Sequence, residues 1–286
     1  MNYRHAFHAG NHADVFKHVV LLALIDALMR KDTPFFALDT HAGRGRYELV
    51  GDENGKNGEA ATGIGRLLAA SDPPYAVQRY LRAVATDNPA GRLIAYPGSP
   101  LLIAQAMRTQ DRLSACELQP EEAAALKALF ARDARVNVHA SDGYAAIKAL
   151  LPPRRGDIRY ARGLVLIDPP YEARNEEYPR IVAALRETLN RWPQAAAAVW
   201  YPIKQRRSLA PFFRQAAALP AKSVLVAELL IRPDDSPLRL NGSGMLILNP
   251  SWQLDAAIAP ALPVLKKTMG ETGASTRLEW LKQEAG

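Results

Sequence analysis

The chain has 286 residues, of which 48% are hydrophobic and 23% are charged. This is an ordinary globular composition, with room for one large domain or for one domain with an insertion. The formal net charge of +7 favours a polyanionic partner without requiring one. The only cysteine, Cys116, excludes an internal disulfide and favours a reducing compartment.

No membrane-spanning segment is expected from the sequence. The longest apolar run, residues 19–29, carries Asp26 and is too short to cross a bilayer. The N-terminus is polar and rich in histidine, unlike a secretory signal. These features predict a soluble cytoplasmic protein with no membrane partner.

The N-terminal third combines a helix, a strand and an insertion. The first predicted helix covers residues 12–31, with Asn11 as its N-cap. An apolar strand at 35–38 leads into a glycine-rich loop. Residues 50–92 are polar and glycine-rich apart from a helical stretch at 75–85, and we predict that they form an inserted helical subdomain. A single domain would then cover residues 1–286 with this one insertion.

Strands and helices alternate along the rest of the chain. Strands are predicted at 113–116, 136–139, 163–167, 195–201, 224–231 and 244–248, and helices at 101–107, 120–133, 144–151 and 178–192. Repeated strand–helix units indicate an α/β fold, with helices on both faces of a parallel sheet.

The strongest motif is Asp168-Pro169-Pro170-Tyr171, which directly follows the apolar strand at 163–167. Ligands of open α/β sheets bind beyond the carboxyl ends of the strands. The exocyclic amine of a nucleic-acid base is a poor nucleophile, and a carboxylate beside a proline-fixed carbonyl can accept hydrogen bonds from it. The aromatic ring can stack on the base, and Asp168 can accept the released proton. The motif predicts methylation of a base amine, although a simple strand-ending turn has the same composition.

A second motif, Asp39-Thr40-His41-Ala42-Gly43-Arg44-Gly45, follows the strand at 35–38. Its glycines let the backbone approach a ligand closely, so Gly43 is a candidate cofactor contact. A dinucleotide fingerprint would need a third glycine where the chain has Glu48, which argues against NAD. A P-loop is excluded because Gly55-Lys56-Asn57 lacks the serine or threonine.

Acidic residues end further strands. Glu117 follows the strand at 113–116, where a carboxylate can hold both hydroxyls of a ribose. Asp142-Gly143 follows the strand at 136–139 and is placed to accept a hydrogen bond from an adenine amine. Each acid alone could be a solvated strand end, but together with Asp39 and Asp168 they predict a shared cofactor site.

Five of the six histidines lie near the N-terminus, at positions 5, 8, 12, 18 and 41. They raise the alternative of a metal site, but Gly10-Asn11 interrupts their helical spacing, and no cysteine or glutamate supplements them. We therefore predict no metal. The segment is better interpreted as a polar arm over the cofactor, with Tyr3, Arg4 and Lys17 available to RNA phosphates and bases.

Several segments together closely resemble the RlmJ-type 23S ribosomal RNA adenine-N6 methyltransferases, and the likeness runs over essentially the whole chain. The segments are Tyr3-Arg4-His5-Ala6-Phe7-His8-Ala9-Gly10-Asn11-His12-Ala13-Asp14-Val15 with Lys17-His18, Leu38-Asp39-Thr40-His41-Ala42-Gly43, Tyr96-Pro97-Gly98-Ser99-Pro100, Ile167-Asp168-Pro169-Pro170-Tyr171, Trp200-Tyr201-Pro202 and Ser243-Gly244-Met245. The N-terminal block is highly specific, whereas many amino-methyltransferases share the Asp-Pro-Pro-Tyr motif.

The resemblance implies a Rossmann-like class I methyltransferase sheet with a small helical insertion and with S-adenosylmethionine as the cofactor. It implies a monomer that methylates adenine N6 in 23S ribosomal RNA in its protein-free or early-assembly form. Asp168 would be the proton acceptor, and Tyr3 would contact the RNA. The implied cofactor contacts are His18, His41, Ser99, Glu117, Asp142, Gly143 and Asp168 itself.

Three alternatives stay open at this point. The same chemistry could act on DNA adenine or on another amide or amine nitrogen, because the Asp-Pro-Pro-Tyr motif does not select among them. A metal-dependent hydrolase could use the N-terminal histidines. A non-catalytic RNA-binding protein could retain the fold without the activity.

Overall fold

The computed structural model describes residues 8–49, 58–89, 91–171, 174–237 and 240–283. In these ranges the helices are α1 (His12–Met29), α2 (Gly58–Thr62), α3 (Ile64–Leu67), α4 (Tyr75–Thr86), α5 (Ser99–Ala106), α6 (Pro120–Leu129), α7 (Gly143–Leu150), α8 (Arg174–Arg191), α9 (Ala210–Ala217), α10 (Leu254–Ile258) and α11 (Ala261–Met269). The strands are β1 (Phe36–Asp39), β2 (Arg46–Glu48), β3 (Ala95–Pro97), β4 (Arg112–Cys116), β5 (Val136–His139), β6 (Arg154–Arg155), β7 (Ile158–Arg159), β8 (Gly163–Ile167), β9 (Ala196–Ile203), β10 (Val224–Leu230), β11 (Gly242–Leu248) and β12 (Ser275–Lys282). None of the described helices has both the length and the apolar character needed to cross a membrane.

The central sheet has eight strands in the order β12-β10-β11-β9-β8-β1-β4-β5. The run from β9 to β5 is parallel, as expected for the strand–helix repeats. At the other edge the sheet is not parallel, because β11, β10 and β12 pair antiparallel there. The described chain thus forms an α/β Rossmann-like sheet with a mixed edge.

The order of the parallel strands places a ligand-binding crevice between β1 and β8. The chain steps from β1 outward through β4 to β5, and then returns to the other side of β1 to form β8. Ligands bind at such reversals of strand order, beyond the carboxyl ends of the strands. Asp39 of β1 pairs with Ala115 of β4 and with Leu166 of β8, so the three strands end at the same level of the sheet.

Each face of the sheet packs on its own hydrophobic core, and β8 shows how the sequence does this. Leu164 and Leu166 point into one core, whereas Val165 and Ile167 point into the other. Successive strand residues face opposite sides, so a strand buried on both faces must be apolar throughout. The first core contains residues of α1, α4, α5 and α11, and the second contains residues of α8 and α9.

Helix α1 is buried almost all round, because it lies between the sheet and other helices. It contacts β11 and β8 on one side and α4, α5 and α10 on others. Asn11 caps the helix by accepting hydrogen bonds from the backbone N–H groups of Ala13 and Asp14, each at 2.9 Å. This cap fixes the first turn of α1, which faces the crevice.

The helices of the predicted insertion pack on the same core as the rest of the protein. Ile64 and Leu67 of α3 and Val77 and Tyr80 of α4 are fully buried in it. The boundary of an inserted subdomain at about residues 50–92 stays a prediction, and residues 50–57 and 90 lie outside the described ranges.

Candidate active site

A cleft of about 1410 Å³ opens at the carboxyl ends of the parallel strands. Its walls come from the loops after β1, β4, β5 and β8, from the first turns of α1, and from α2 and α3. Pockets for one small ligand usually measure about 300–1,000 Å³. The cleft is therefore large enough for a nucleotide-sized cofactor together with part of a second molecule.

The site residues predicted from the sequence meet in this cleft wherever the structure describes them. The lining includes Lys17, His18, His41, Gly43, Ser99, Glu117, Asp142, Gly143, Asp168, Pro169, Pro170 and Tyr171. Tyr3 and Arg4, the other two predicted RNA contacts, lie outside the described residues. The specific role of each residue remains a prediction, but the shared cleft that those roles require is present.

Glu117 and Gly43 link the loops after β4 and β1. The N–H of Gly43 donates to Glu117 Oε2 at 2.9 Å, and the N–H of Gln119 donates to Oε1 at 2.7 Å. Gly43 has a φ of +60°, and a Cβ there would lie 2.2 Å from the Tyr47 hydroxyl, so a larger residue would be strained at this position. Burial raises the pKa of Glu117. Each carboxylate oxygen still has lone-pair capacity to accept from a ligand hydroxyl.

Asp142 caps helix α7. Its Oδ1 accepts from the N–H of Ala145 at 2.9 Å, and its Oδ2 lies 3.6 Å from the Arg180 guanidinium. That guanidinium stacks over the Tyr144 ring at 4.6 Å, and the Tyr144 hydroxyl donates to Glu177 at 2.6 Å. The predicted adenine contact is thus also a helix cap, and a planar aromatic and cationic surface lies beside it.

Asp39 is fully buried at the end of β1. Its Oδ2 accepts from the Ser99 hydroxyl at 2.6 Å, and its Oδ1 accepts from the N–H of His41 at 3.3 Å. Burial raises the pKa of Asp39 to about 7. The carboxyl group holds two of the predicted cofactor contacts in place, so it acts as a positioning group.

The tautomer of His41 follows from its neighbours. The Thr40 hydroxyl donates its single hydrogen to the carbonyl of Leu166 at 2.8 Å. Because His41 Nδ1 also lies 2.8 Å from this hydroxyl, the hydroxyl can only accept a hydrogen bond from it. Nδ1 therefore carries the proton. Burial lowers the pKa of His41 to about 4, so the ring is neutral near pH 7. Its Nε2, which has no hydrogen-bond partner among the described residues, is an acceptor.

The other described histidines near the N-terminus have separate environments. His8 Nδ1 lies 2.9 Å from Glu59 Oε2, and His18 Nδ1 lies 2.8 Å from the hydroxyl of Tyr96, on which its ring stacks. Burial lowers the pKa of His12 to about 4. In the described ranges, no three His, Cys, Asp or Glu side chains converge as metal ligands. The metal-dependent hydrolase alternative therefore gains no support.

Lys17 is buried between two carboxylates. Its Nζ lies 2.6 Å from Asp168 Oδ2 and 2.9 Å from Asp14 Oδ1, and Asp14 Oδ2 accepts from the N–H of Gly10 at 3.0 Å. Burial opposes the charge of Lys17, but the two carboxylates outweigh it and hold the pKa well above its usual value. The predicted availability of Lys17 to RNA phosphates and bases stays a prediction.

Tyr171 adopts a left-handed conformation, with a φ of +52°, which is unusual for an aromatic residue and indicates a strained turn. Its hydroxyl donates to the carbonyl of Trp200 at 2.6 Å, and the two rings meet edge to face at 5.7 Å. Tyr171 is 6% exposed. Trp200 is more exposed than Tyr171 and also lines the cleft, so the stacking role predicted for Tyr171 has a second candidate.

Sequence reasoning did not identify Asp14 and Trp200 as residues that line the cleft. A signal for Asp14 was present, because it stands three residues before Lys17 in a helix that is mostly apolar. Opposite charges at that spacing can pair on one helix face, and on a buried helix they need partners. No local pattern in the sequence indicates that Trp200 approaches the cleft.

The buried ion pair of Lys17 predicts a large loss of stability on its removal. We expect Lys17→Met to lower the free energy of unfolding by about 3–5 kcal/mol, because two buried carboxylates lose their counter-charge. Urea denaturation followed by circular dichroism measures the change, with Lys31→Met at an exposed position as the control. A loss no larger than that of the control would contradict the buried pair.

The raised pKa of Asp39 predicts a pH dependence of stability with a definite sign. Protonated Asp39 contributes stability that is present below its unfolded pKa of 3.8 and is lost as the pH rises through about 7. When the pH rises from 5 to 8, we expect the free energy of unfolding of the wild type to fall by about 2–3 kcal/mol more than that of Asp39→Asn. Denaturation series at both pH values test this, with Asp32→Asn at an exposed site as the control. Parallel curves for the wild type and Asp39→Asn would refute it.

Comparison with known proteins finds relatives over nearly the whole chain. Residues 32–282 match the family model described as "Ribosomal RNA large subunit methyltransferase D, RlmJ". "Ribosomal RNA large subunit methyltransferase J" of Haemophilus influenzae is 40% identical over 99% of this chain and 100% of its own length. The protein of the same name from Escherichia coli is 38% identical over the same shares.

A solved structure is similar over nearly the whole fold. Protein LPL1258 from Legionella pneumophila has 34% sequence identity and a TM-score of 0.84, and the match covers 95% of this chain and 98% of that one.

The family match and the two full-length relatives lead to one conclusion. The chain belongs to the RlmJ family of large-subunit ribosomal RNA methyltransferases.

Proposed function

We propose that this protein transfers a methyl group from S-adenosylmethionine to N6 of an adenine in 23S ribosomal RNA. One observation carries the proposal: Glu117, Asp142 and Asp168 line the same cleft at the carboxyl edge of the sheet. Membership of the RlmJ family supports ribosomal RNA as the substrate. We further propose that the protein acts as a monomer on protein-free or early-assembly RNA in the cytoplasm.

The residues around the loops after β1, β4 and β5 fit the cofactor. When bound, S-adenosylmethionine supplies an electrophilic methyl group. Glu117 offers carboxylate oxygens to ribose hydroxyls, the acceptor Nε2 of His41 suits an ammonium or hydroxyl donor, and Asp142 suits an adenine amine. The backbone of Gly43 can approach the ligand closely. Ser99 and His18 are held at the same wall by Asp39 and Tyr96.

Asp168 is suited to receive the target amine. Its Oδ2 is engaged by Lys17 at 2.6 Å, whereas its Oδ1 has no hydrogen-bond partner among the described residues. The ammonium group therefore fixes the orientation of the carboxylate, and Oδ1 remains to accept an N–H of the base. The new N–C bond would form as the methyl carbon–sulfur bond of the donor breaks, and the Asp168 carboxylate would accept the proton that the amine loses. The carbonyl of Pro169 is the second acceptor in this scheme.

Much of the acceleration would come from alignment. A base held by Asp168 and by an aromatic surface has its nitrogen fixed relative to the methyl donor, which removes most of the entropy cost of the encounter. An adenine inside a duplex would have to leave the stack first, so unpaired or easily flipped positions are the favoured targets. The alternatives of DNA methylation and of a non-catalytic RNA-binding protein have no specific observation in their favour.

The proposed role of Asp168 predicts a loss of activity with the cofactor site intact. We expect Asp168→Asn to reduce methyl transfer by at least about 100-fold, because the amide is a far weaker proton acceptor than the carboxylate. The test incubates protein-free ribosomal RNA with the protein and labelled S-adenosylmethionine, digests the RNA and identifies N6-methyladenosine by mass spectrometry. Calorimetry should give nearly the wild-type Kd for the cofactor.

Two outcomes of that experiment would count against the proposal. Near-wild-type turnover by Asp168→Asn would remove this carboxylate from the mechanism. Wild-type protein that methylates DNA or protein but leaves ribosomal RNA unmodified would overturn the substrate assignment.

The proposed role of Glu117 predicts weaker cofactor binding. We expect Glu117→Gln to weaken binding of S-adenosylmethionine by about 1–3 kcal/mol, the usual effect of losing hydrogen bonds to a charged group. Calorimetric titration measures the Kd. The matched control is Glu176→Gln, at an exposed position on α8 that does not line the cleft. An unchanged Kd for Glu117→Gln would contradict the ribose contact.

A further inference from the structure

Arg66 differs from the other lysine and arginine residues that line the cleft in having no carboxylate partner within the described ranges. Arg44 pairs with Glu122 at 2.6 Å, Arg180 lies 3.6 Å from Asp142, and Arg232 pairs with Glu271 at 2.8 Å. Lys17 is buried between its two carboxylates. Among the described residues, Arg66 makes no ion pair, and its side chain is exposed.

The segment that carries Arg66 is firmly attached to the start of α1. The N–H of Ile64 donates to the carbonyl of Gly10 at 2.9 Å. A Cβ on Gly63 would lie 2.1 Å from that carbonyl oxygen, so only glycine permits the approach. The Glu59 carboxylate accepts from the side-chain amide of Asn11 at 2.9 Å. Helices α2 and α3 are therefore held against the start of α1 and form a fixed wall of the cleft.

Packing also fixes the direction of Arg66. Its helix α3 is a single turn, and Ile64 and Leu67, on either side of Arg66, are fully buried in the core. With these two side chains turned inward, the side chain of Arg66 is turned outward, where it lines the cleft. Arg66 thus lines the cleft together with Glu59 and Thr62 of α2, on the side formed by the insertion.

An unpaired guanidinium that lines the cleft favours binding of an anionic ligand. The cleft wall is otherwise rich in carboxylates, which repel a polyanion. Arginine offers a planar set of N–H donors that matches a phosphate in a two-bond geometry. An RNA strand that delivers an adenine to Asp168 brings a phosphate with every nucleotide.

We propose that Arg66 binds a backbone phosphate of the RNA strand that enters the cleft, and that α2 and α3 form an RNA-docking wall. This inference rests on the proposed function and deepens it. It gives the insertion a role in positioning the substrate, and it assigns that role to one side chain.

The test compares Arg66→Ala with Arg92→Ala in the full-length protein. Arg92 is exposed, follows α4 and does not line the cleft, so its loss removes the same charge from a different place. We expect Arg66→Ala to raise KM for protein-free ribosomal RNA about tenfold, as for a lost charged hydrogen bond. The dependence of log binding constant on log salt should become shallower by about 0.7–0.9, the effect of one phosphate contact. Arg66→Lys should recover part of the loss.

Further readouts separate this proposal from other roles for Arg66. The melting temperature and the Kd for S-adenosylmethionine should stay at wild-type values, since Arg66 is exposed and unpaired. Unchanged KM and salt slope, an equal change in Arg92→Ala, or a weakened cofactor Kd would each overturn the phosphate contact. Failure of the wild type to methylate ribosomal RNA would instead overturn the proposed function, so the two failures are distinguishable.

Discussion

The site depends on a single ammonium group buried between two carboxylates. Lys17 joins Asp14, on its own helix, to Asp168, which follows it by 151 positions in the chain. Ion pairs removed from water stay together only when charges and hydrogen bonds are satisfied with good geometry. The pair therefore ties the loop after β8 to the first turns of α1. Both contacts must form for the Asp168 carboxylate to face the cleft in one orientation.

The burial of α1 makes this arrangement possible. From Val19 to Met29 the helix is apolar except for Asp26, and it fills the space between the sheet and the surrounding helices. Its polar residues Asp14, Lys17 and His18 are gathered in the turns nearest the cleft. A helix fixed along most of its length holds those side chains with little freedom to move. The same helix therefore contributes both core stability and the rigidity of the site.

Most of the parallel sheet could be predicted from the sequence, because its signals are local. Strand β8 is a fully buried apolar run that ends at an acid, and its bounds agree with the predicted 163–167. Since parallel strands end at one edge, acids at several strand ends had to converge. The antiparallel β12 was missed, because its sequence mixes charged, aromatic and small residues and its burial is only partial.

The environments of Lys17 and Tyr171 could not be predicted, because they depend on distant partners. Nothing near Lys17 in the sequence indicates that Asp168 will approach it. Tyr171 has a positive φ, and its buried ring packs edge to face against Trp200. Similarly, Glu228 lies in the apolar strand β10, where Arg206 and Tyr201 satisfy its charge from other segments.

The polar groups that the protein leaves unsatisfied show what a ligand has to supply. Buried polar groups are normally paired within the protein or with water, and most of those in this cleft are paired. Among the described residues that line the cleft, Asp168 Oδ1 and His41 Nε2 remain as acceptors and Arg66 remains as a cation. His12 Nε2 and Trp200 Nε1 are also buried there without a partner in the described part of the chain. The complementary ligand set brings N–H or O–H donors to the two acceptors and an anion to the guanidinium. An adenine amine, a nucleoside-type methyl donor and an RNA phosphate together meet those requirements. A small neutral substrate would bring no anion to bind the Arg66 guanidinium.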